Sequence, residues 1–319
     1  MLQSLQHKDS PDIPLKPLGD VIAAERLPNG IKLRCTDGLC TIEAITSRIV
    51  RVRVVREDTM PAYFSYATIL EAEDVPLEIM EGDEELTLAT PDVRCHVRLA
   101  PFGLRMTDAN KQDVMGGIEI LGWEPAGGRL QQTIQDGIQY YGLGERAIRF
   151  PSRGHHFDLT TFDQASYHPG EDPLYINIPF LVGLNDGTAF GVLFDSTYNG
   201  EIDLGAQQPD QLSYQTNGPE LRFDFILGPT LLEVVEQYTA LTGRMNLPPR
   251  WTIGYQQSRW SYETADAIRD IAREFRQRQL PCEAIHFDID YMDGFRCFTW
   301  DRAAFPLSLI HISEPTRPP

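Results

Sequence analysis

Two aspartates, Asp288 and Asp290, follow an apolar run in the segment 284–293 (Ala-Ile-His-Phe-Asp-Ile-Asp-Tyr-Met-Asp). The run predicts a short strand over 284–290. Because side chains alternate along a strand, the two carboxylates are expected on one face and Ile289 on the other. Ionised carboxylates at a strand end accept charge-assisted hydrogen bonds from hydroxyl groups or hold a cation. The segment is therefore a candidate binding site.

The residues before this strand predict the elements that position it. A strand is predicted over 251–257 and a helix over 264–279, capped by Thr264. The helix has one apolar stripe, made of Ile268, Ile271, Ala272 and Phe275. The order strand, helix, strand favours a right-handed parallel crossover. In parallel sheets and eight-stranded barrels, ligand sites gather at the carboxyl ends of the strands, where Asp288 and Asp290 lie.

A different pattern precedes residue 230, where short apolar and polar alternations are separated by turn residues. In the segments 50–54 and 93–99, valine, cysteine or leucine alternates with arginine or histidine. Each pattern predicts a half-buried strand with one face in water. Asp186-Gly187 separates two apolar runs as a hairpin turn does. Many short strands without helices between them favour a β-sandwich.

Helix signals mark the end of this region. Thr230 and Glu233 have the spacing of a capping box, and Gly243 is placed to end the helix. The predicted first domain is therefore 1–245, a β-sandwich closed by a helix over 231–242. Leu247-Pro248-Pro249 marks the boundary, and a second domain is predicted over 246–306.

The segment 307–319 breaks the alternation of strand and helix and ends in Pro-Thr-Arg-Pro-Pro. A barrel would require a further helix and a third strand after 290, so the sequence is expected to be truncated. The tail 307–319 is expected to be non-native, because part of it resembles translated sequencing-adapter read-through. Two parallel strands alone leave edges unpaired and are expected to fold poorly.

The net charge of the chain excludes some classes of binding partner. The 319 residues include 46 acidic and 28 basic side chains, a net charge of −18. This charge repels phosphate backbones and anionic lipids, so neither nucleic acid nor a membrane surface is expected as a partner. No apolar run is long enough to span a bilayer and the first residues lack a secretion signal, so a cytoplasmic location is expected. The sequence does not indicate an oligomeric state.

Metal and cofactor motifs are not found. Five cysteines without a Cys-x-x-Cys pair indicate buried, reduced thiols and not a disulfide framework or zinc site. Adjacent His155 and His156 lack a metal-binding spacing, so a loop or hydrogen-bonding role is expected for them. We therefore expect no metal and no cofactor.

Four ordered motifs resemble the start of the catalytic barrel of glycoside hydrolase family 31: Trp251-Thr-Ile-Gly-Tyr255, Ser258-Arg-Trp-Ser-Tyr262, His286-Phe-Asp-Ile-Asp-Tyr-Met-Asp293 and Phe298-Thr-Trp-Asp301. Tyr141-Gly-Leu-Gly-Glu145 and Thr161-Phe-Asp-Gln164 are similar to the sandwich of that family. The resemblance covers roughly residues 20–306. It implies a multi-domain β plus α/β fold: an antiparallel β-sandwich of the galactose-mutarotase-like type, followed by the first two strands of a truncated (β/α)8 TIM barrel.

The resemblance also implies a function and site residues. The motifs are most similar to the α-glucosidase branch, which implies hydrolysis of terminal α-linked glucose from oligosaccharides by a retaining mechanism with two carboxylates. Asp288 matches a carboxylate that binds sugar hydroxyls, Ile289 a wall residue beside it, Trp260 an aromatic near the reacting ring, and Asp163 a residue that binds the next sugar. The nucleophile and the acid/base are expected on later barrel strands, so no catalytic residue is assigned here and the fragment is predicted to be inactive.

Other interpretations remain open from the residues alone. Asp290 and Asp293 could cap a turn, Trp260 could be core packing, and Asp163 could hydrogen-bond within its loop. Two other functions also fit in part. One is a non-catalytic carbohydrate-binding sandwich, and the other is metal-dependent phosphoryl or glycosyl transfer by the Asp-x-Asp pair. Linkage, chain length, and the balance of hydrolysis and transfer are not indicated.

Overall fold

The computed structural model describes residues 15–125 and 127–306. The predicted non-native tail 307–319 lies outside the described residues. The chain divides into two compact units, Met1–Arg244 and Met245–Pro319. We call the first the sandwich and the second the barrel segment.

The strands of the sandwich are, in chain order, β1 (Lys16–Pro17), β2 (Val21–Leu27), β3 (Gly30–Cys35), β4 (Gly38–Ala44), β5 (Ile49–Val55), β6 (Glu78–Glu81), β7 (Glu85–Ala89), β8 (Val93–Leu99), β9 (Phe102–Asp108), β10 (Ile118–Glu124), β11 (Gly127–Thr133), β12 (Gln139–Gly144), β13 (His156–Asp158), β14 (Asn177–Asn185), β15 (Thr188–Leu193), β16 (Gly200–Leu204), β17 (Gln211–Thr216) and β18 (Glu220–Leu227). Among the described residues they form two antiparallel sheets. The first has ten strands, in the order β13-β16-β17-β11-β10-β9-β8-β7-β6, with β1 paired to β10. The second has eight, in the order β12-β14-β15-β18-β5-β4-β3-β2.

The core of the sandwich lies between the two sheets. Its fully buried side chains come from both, for example Phe223 and Phe225 of β18 and Val97 of β8. Across the core, the rings of Phe194 and Tyr214 stack with their centroids 4.0 Å apart. The β-sandwich predicted from the alternating sequence is confirmed.

Two local predictions in the sandwich are also confirmed. Asp186 and Gly187, with φ of 46° and 83°, form the two-residue turn between β14 and β15, whose last pair is Asn185 with Thr188. Positive φ at both turn positions matches the twist of a hairpin. In β8 the predicted alternation holds, with its valines and Cys95 buried and its arginines and histidine on the wetter face.

The prediction of one wet face for β5 is wrong. Arg51 and Arg53 are 5% and 4% exposed, and every residue of β5 is buried. Residues 56–77 cover this face without regular secondary structure, and the ring of Tyr63 lies 4.0 Å from the guanidinium carbon of Arg51. Each arginine also has a carboxylate partner on β18, Asp224 at 2.7 Å and Glu220 at 2.6 Å. Ion pairing therefore permits both charges to be buried.

The first helix, α1 (Leu231–Thr242), has the predicted capping box. The Thr230 hydroxyl accepts from the Glu233 amide at 3.3 Å, and a Glu233 carboxylate oxygen accepts from the Thr230 amide at 3.1 Å. Val234 and Leu241 are buried on the outer face of the eight-stranded sheet. Tyr238 stacks on Phe180 with ring centroids 3.9 Å apart, which fixes the helix against β14.

Replacing Thr230 with alanine is expected to lower the free energy of unfolding by about 1 kcal/mol, because the helix loses its cap. The pKa of Glu233 is lowered by the Thr230 hydroxyl and by Arg48. A lowered carboxyl pKa contributes stability above its ordinary value, and this contribution is lost as pH falls through the lowered pKa. Urea unfolding of the parent protein and of Thr230→Ala, at neutral pH and below pH 4.5, tests this. The difference between their unfolding free energies should be smaller in acid.

Thr239→Ala is the matched control. Thr239 lies within the same helix, and its hydroxyl donates to the Val235 carbonyl at 2.9 Å without capping an amide. Its loss is expected to change the unfolding free energy by less than about 0.5 kcal/mol. Equal effects of the two substitutions would contradict the capping role of Thr230.

The prediction of buried thiols holds for three of the five cysteines. Cys35, Cys40 and Cys95 are buried, Cys282 is half-buried and Cys297 is exposed. Burial raises the pKa of Cys35 and of Cys95 to about 12, and it also raises the pKa of Cys40 well above its ordinary value. Because the thiolate is the reactive form, these three thiols should react slowly.

We expect iodoacetamide at pH 8 to alkylate Cys297 and Cys282 of the native protein and to leave Cys35, Cys40 and Cys95 unmodified until denaturant is added. Peptide mass spectrometry over a time course would measure this. Modification of Cys40 at the rate of Cys297 under native conditions would contradict the buried core described above.

The barrel segment contains a 3₁₀-helix (Arg250–Ile253), strand β19 (Gln256–Gln257), helix α2 (Ala265–Gln277), strand β20 (Ala284–Ile285) and a 3₁₀-helix (Asp293–Phe295). β19 and β20 are parallel, with Gln257 opposite Ile285. The predicted strand, helix and strand order is confirmed, as is the Thr264 cap, which accepts from the Ala267 amide at 3.2 Å. Within the described residues, no helix has the length and apolarity needed to cross a membrane.

The predicted strand bounds 251–257 and 284–290 are wrong. The first residues of the segment 251–257 belong to the 3₁₀-helix Arg250–Ile253. The observed strands β19 and β20 have two residues each. Within the described residues each strand has one neighbour, so the ladder continues only through flanking hydrogen bonds, from the Glu283 amide to Tyr255 O and from the His286 amide to Gln257 O, both 2.9 Å. Apolar composition indicates a strand, but the extent of a strand depends on pairing.

Candidate functional site

The candidate site lies where the chain leaves β20. Asp288 has a φ of 62°, in the left-handed region that aspartate tolerates better than most residues. The chain therefore bends at Asp288, and the prediction that Asp288 and Asp290 share a strand face is wrong. Asp288 and Ile289 are exposed, and Asp290 is half-buried.

Aromatic residues on both sides hold this bend in place. Phe287 lies before it and Tyr291 after it, and the Trp300 ring contacts both, with centroid distances of 6.5 Å and 4.8 Å. Phe305, buried in the same cluster, lies 6.1 Å from the Phe287 ring. The amide of Asp301 donates to the carbonyl of Tyr291 at 2.8 Å. The flanking residues pack into this cluster, whereas Asp288 and Ile289 between them are exposed.

The carboxylate of Asp288 makes neither a hydrogen bond nor an ion pair with any residue that the structure describes. A charged group that is exposed, fixed at its backbone and without an internal partner can bind a ligand without first breaking a protein contact. This is the property expected of a sugar-binding carboxylate.

Polar side chains lie beneath the bend on the two strands. His286 Nε2 and Gln256 Oε1 are 2.8 Å apart. Gln257 accepts from the Tyr255 hydroxyl at 2.7 Å and donates from its amide nitrogen to the Tyr262 hydroxyl oxygen at 3.2 Å. Sequence reasoning missed this network; two adjacent glutamines within a predicted apolar strand were the signal that polar groups would meet there.

Trp260 is 96% exposed, so the core-packing alternative for this residue does not apply within the barrel segment. The neighbouring Tyr262 is the buried aromatic, with the guanidinium carbon of Arg259 lying 4.7 Å from its ring centroid. Arg259 Nε also donates to the Ser261 carbonyl at 2.9 Å. An exposed indole offers a large apolar face on which a sugar ring can stack.

Asp293 has a structural role. Its carboxylate pairs with Arg296, and its amide donates to the Thr299 hydroxyl oxygen at 3.0 Å. Among the described residues this carboxylate accepts from Arg296 and from no backbone amide, so the alternative that Asp293 caps a turn is not confirmed. Asp290 has no such partner among the described side chains, so its role stays open.

Asp163 lies on an exposed loop of the sandwich between β13 and β14. The pKa of Tyr175 is raised by removal of its hydroxyl from water and by the nearby Asp163 carboxylate. The hydroxyl of Tyr175 donates to the carbonyl of Gln164, next to Asp163. The loop-bonding alternative for Asp163 thus has a specific partner, which the sequence spacing did not reveal, and sugar binding by Asp163 stays a prediction.

Comparison with known proteins assigns the family. A family model described as the glycosyl hydrolase 31 N-terminal galactose mutarotase-like domain matches residues 39–203, and one described as the glycosyl hydrolases family 31 TIM-barrel domain matches residues 245–313. The chain belongs to glycoside hydrolase family 31. The family 31 barrel match includes the first residues of the predicted non-native tail, and it contains Trp260, Asp288 and Ile289.

Family 31 relatives are similar over much of the chain. Alpha-glucosidase 2 of Bacillus thermoamyloliquefaciens is 34% identical over 271 residues, which cover 81% of this chain and 34% of that protein. The alpha-glucosidase of Saccharolobus solfataricus is 33% identical over 52% of this chain and 24% of its own length. The chain therefore spans about a third or less of these curated relatives.

The structure of a family 31 dextranase of Flavobacterium johnsoniae complexed with isomaltotriose superimposes on 92% of this chain and 36% of its own, with a TM-score of 0.83 and 26% identity. An ER glucosidase II complex has a TM-score of 0.74 at 17% identity and shows a shared fold. The predicted galactose-mutarotase-like sandwich followed by the first strands of a (β/α)8 barrel is confirmed.

Proposed function

We propose that the full-length protein is a retaining α-glucosidase that releases terminal α-linked glucose from oligosaccharides. Asp288 would bind hydroxyl groups of the terminal glucose, and Ile289 and Trp260 would contact its apolar surfaces. The observation that carries the proposal is the Asp288 carboxylate, exposed and without a protein partner among the described residues, at the end of the second strand of a family 31 barrel.

Sugar chemistry explains why this set of groups fits. A glucose unit has several hydroxyl donors around a ring with apolar faces. A carboxylate accepts charge-assisted hydrogen bonds from the hydroxyl groups, and an aromatic ring covers an apolar face. Asp288 and Trp260 provide one group of each type.

Hydrolysis with retention requires two further carboxyl groups about 5 Å apart, one as nucleophile and one as acid and then base. The residues after Asp301 do not resemble the nucleophile motif of the family. We propose that both groups lie in a part of the full-length protein outside this sequence, and that the 319-residue chain binds sugar without cleaving it.

The substrate is proposed to be a glucoside and not a xyloside. The alpha-xylosidase XylQ of Lactiplantibacillus pentosus is 32% identical over 56% of this chain, so overall similarity does not separate the two. The motif Asp288-Ile-Asp-Tyr-Met, followed by Phe298-Thr-Trp-Asp, favours the glucosidase branch.

The test is to assay the full-length enzyme with 4-nitrophenyl α-glucoside and α-xyloside, with and without excess EDTA. We expect kcat/KM to favour the glucoside and to be unchanged by the chelator. A preference for the xyloside would contradict the proposed substrate, and loss of activity in chelator would favour metal-dependent chemistry. Cleavage by the 319-residue chain alone would contradict the proposed location of the catalytic pair.

A further inference from the structure

Four side chains that the proposed activity does not use meet on the ten-stranded sheet of the sandwich. β13 and β16 are antiparallel, with His156 opposite Asp203 and Asp158 opposite Glu201. Since opposite residues and residues two apart share a face, all four lie on one side of the sheet. The residues between them, Phe157 and Ile202, are buried in the core on the other side.

Three of these side chains have the geometry of a metal site. One ligand atom each from His156, Asp158 and Glu201 lies within 4.8 Å of the others, and His156 Nε2 is 3.7 Å from a Glu201 oxygen. Two bonds of the usual 2.0–2.2 Å between zinc and nitrogen or oxygen join ligand atoms up to about 4.4 Å apart, so the 3.7 Å pair fits, and the 4.8 Å limit for the group requires only a small side-chain adjustment. His156 and Glu201 are 25% and 42% exposed, which leaves access from solvent.

The fourth side chain, Asp203, is fixed behind the imidazole. It is 6% exposed, and its Oδ1 accepts from the amides of Gly205 and Ala206 at 3.0 Å and 2.9 Å. Its Oδ2 lies 3.5 Å from His156 Nδ1. A buried carboxylate beside one ring nitrogen of a histidine orients the ring, so that the other nitrogen points away from it.

The surrounding charges favour a divalent cation. Within the described ranges, neither lysine nor arginine forms an ion pair with Asp158, Glu201 or Asp203. Arg146 contacts the backbone here: it donates to the Asp158 carbonyl oxygen at 3.2 Å, while its charge pairs with Asp172. A divalent ion would offset two of the three carboxylate charges.

We propose that His156, Asp158 and Glu201 bind a divalent transition-metal ion of the zinc class, with Asp203 orienting the imidazole and water completing the coordination. One imidazole and two carboxylates form a donor set that suits zinc better than calcium or magnesium, which prefer oxygen ligands alone. The ion would link β13, the three-residue edge strand, to β16 and would act in stability and not in hydrolysis.

The experiment is a zinc titration of the 319-residue chain, carrying Cys282→Ser and Cys297→Ser because these two thiols are accessible to metal. Isothermal calorimetry of the EDTA-treated, dialysed protein is expected to show one saturable site, and zinc is expected to raise Tm. His156→Gln and Glu201→Gln should each weaken binding at least about 10-fold and abolish the rise in Tm. Asp158→Asn should weaken binding in the same way and provides a second carboxylate variant.

His96→Gln is the matched control, because His96 Nδ1 lies 2.9 Å from a Glu85 oxygen on the same sheet but His96 belongs to no three-ligand group within the part of the chain that the structure describes. It should leave zinc binding unchanged, and far-UV circular dichroism confirms that each variant is folded. Absence of saturable binding by the folded parent protein would overturn the proposal. So would binding that persists in both His156→Gln and Glu201→Gln, or binding that His96→Gln removes.

Discussion

Replacing Asp288 with alanine in the full-length enzyme is expected to lower kcat/KM for a terminal α-glucoside by about 10²- to 10³-fold, a loss of the size found when one hydrogen-bonding group that stabilises the transition state is removed. The carboxylate makes neither a hydrogen bond nor an ion pair with the described residues, so its removal should leave the fold intact, with only the small backbone cost of alanine at a φ of 62°. The loss should therefore appear in catalysis, with at most a small change in Tm. Steady-state kinetics and thermal unfolding of the same preparation measure the two effects separately.

Asp270→Asn is the matched control for this prediction. Asp270 lies on the same unit, on the solvent face of α2, where it pairs with Arg273 at 2.9 Å and is 62% exposed. Its substitution is expected to leave kcat/KM within a factor of two or so, since an exposed helix pair contributes little. Near-native turnover of Asp288→Ala would count against the assigned role, as would an equal loss in both variants.

Replacing Arg51 with methionine is expected to destabilise the sandwich by about 3–5 kcal/mol, because Asp224 would be left buried without its partner. The Asp224 side chain is 0% exposed and accepts two hydrogen bonds from Arg51, at 2.7 Å and 3.3 Å. Burial raises the pKa of Asp224, and Arg51 acts in the opposite direction. Urea unfolding followed by circular dichroism would measure the change.

The pH dependence of the stability of Arg51→Met follows from the raised pKa of Asp224. Without Arg51, the folded state prefers Asp224 protonated, so the penalty is largest when pH is above the folded pKa and decreases as pH falls towards the ordinary value of 3.8. The double variant Arg51→Met with Asp224→Leu should recover most of the lost stability, since it removes both charges together. A single variant as stable as the parent, or a double variant less stable than the single one, would contradict this account of β5.

Local sequence patterns predicted elements whose cause is local. The Thr230 capping box, the Asp186-Gly187 turn and the alternation in β8 each depend on residues within a few positions of one another, and each is present. The family of the barrel segment could also be predicted from the sequence, because the motifs around Trp260 and Asp288 resemble family 31. The family match contains both residues.

Features determined by distant residues were not predicted. The sequence of β5 alternates as a half-exposed strand does, but Tyr63 and the irregular segment 56–77 cover its arginines. The sequence pattern predicts a strand through Asp288, where the chain bends instead, because an apolar composition does not indicate where strand pairing ends. Glu201 and Asp203, which lie beside His156, belong to β16 and are distant from it in sequence. The spacing of the adjacent residues His155 and His156 therefore did not predict the cluster that the pairing of β13 with β16 brings together.

A crystal structure of the full-length enzyme with glucose bound would examine the role of Asp288 most directly. We expect a carboxylate oxygen of Asp288 to lie about 2.5–3.0 Å from at least one glucose hydroxyl oxygen, with Trp260 beside the ring. A glucose unit bound in the barrel with the Asp288 side chain turned away, or paired with an arginine from the remainder of the protein, would contradict the proposed function.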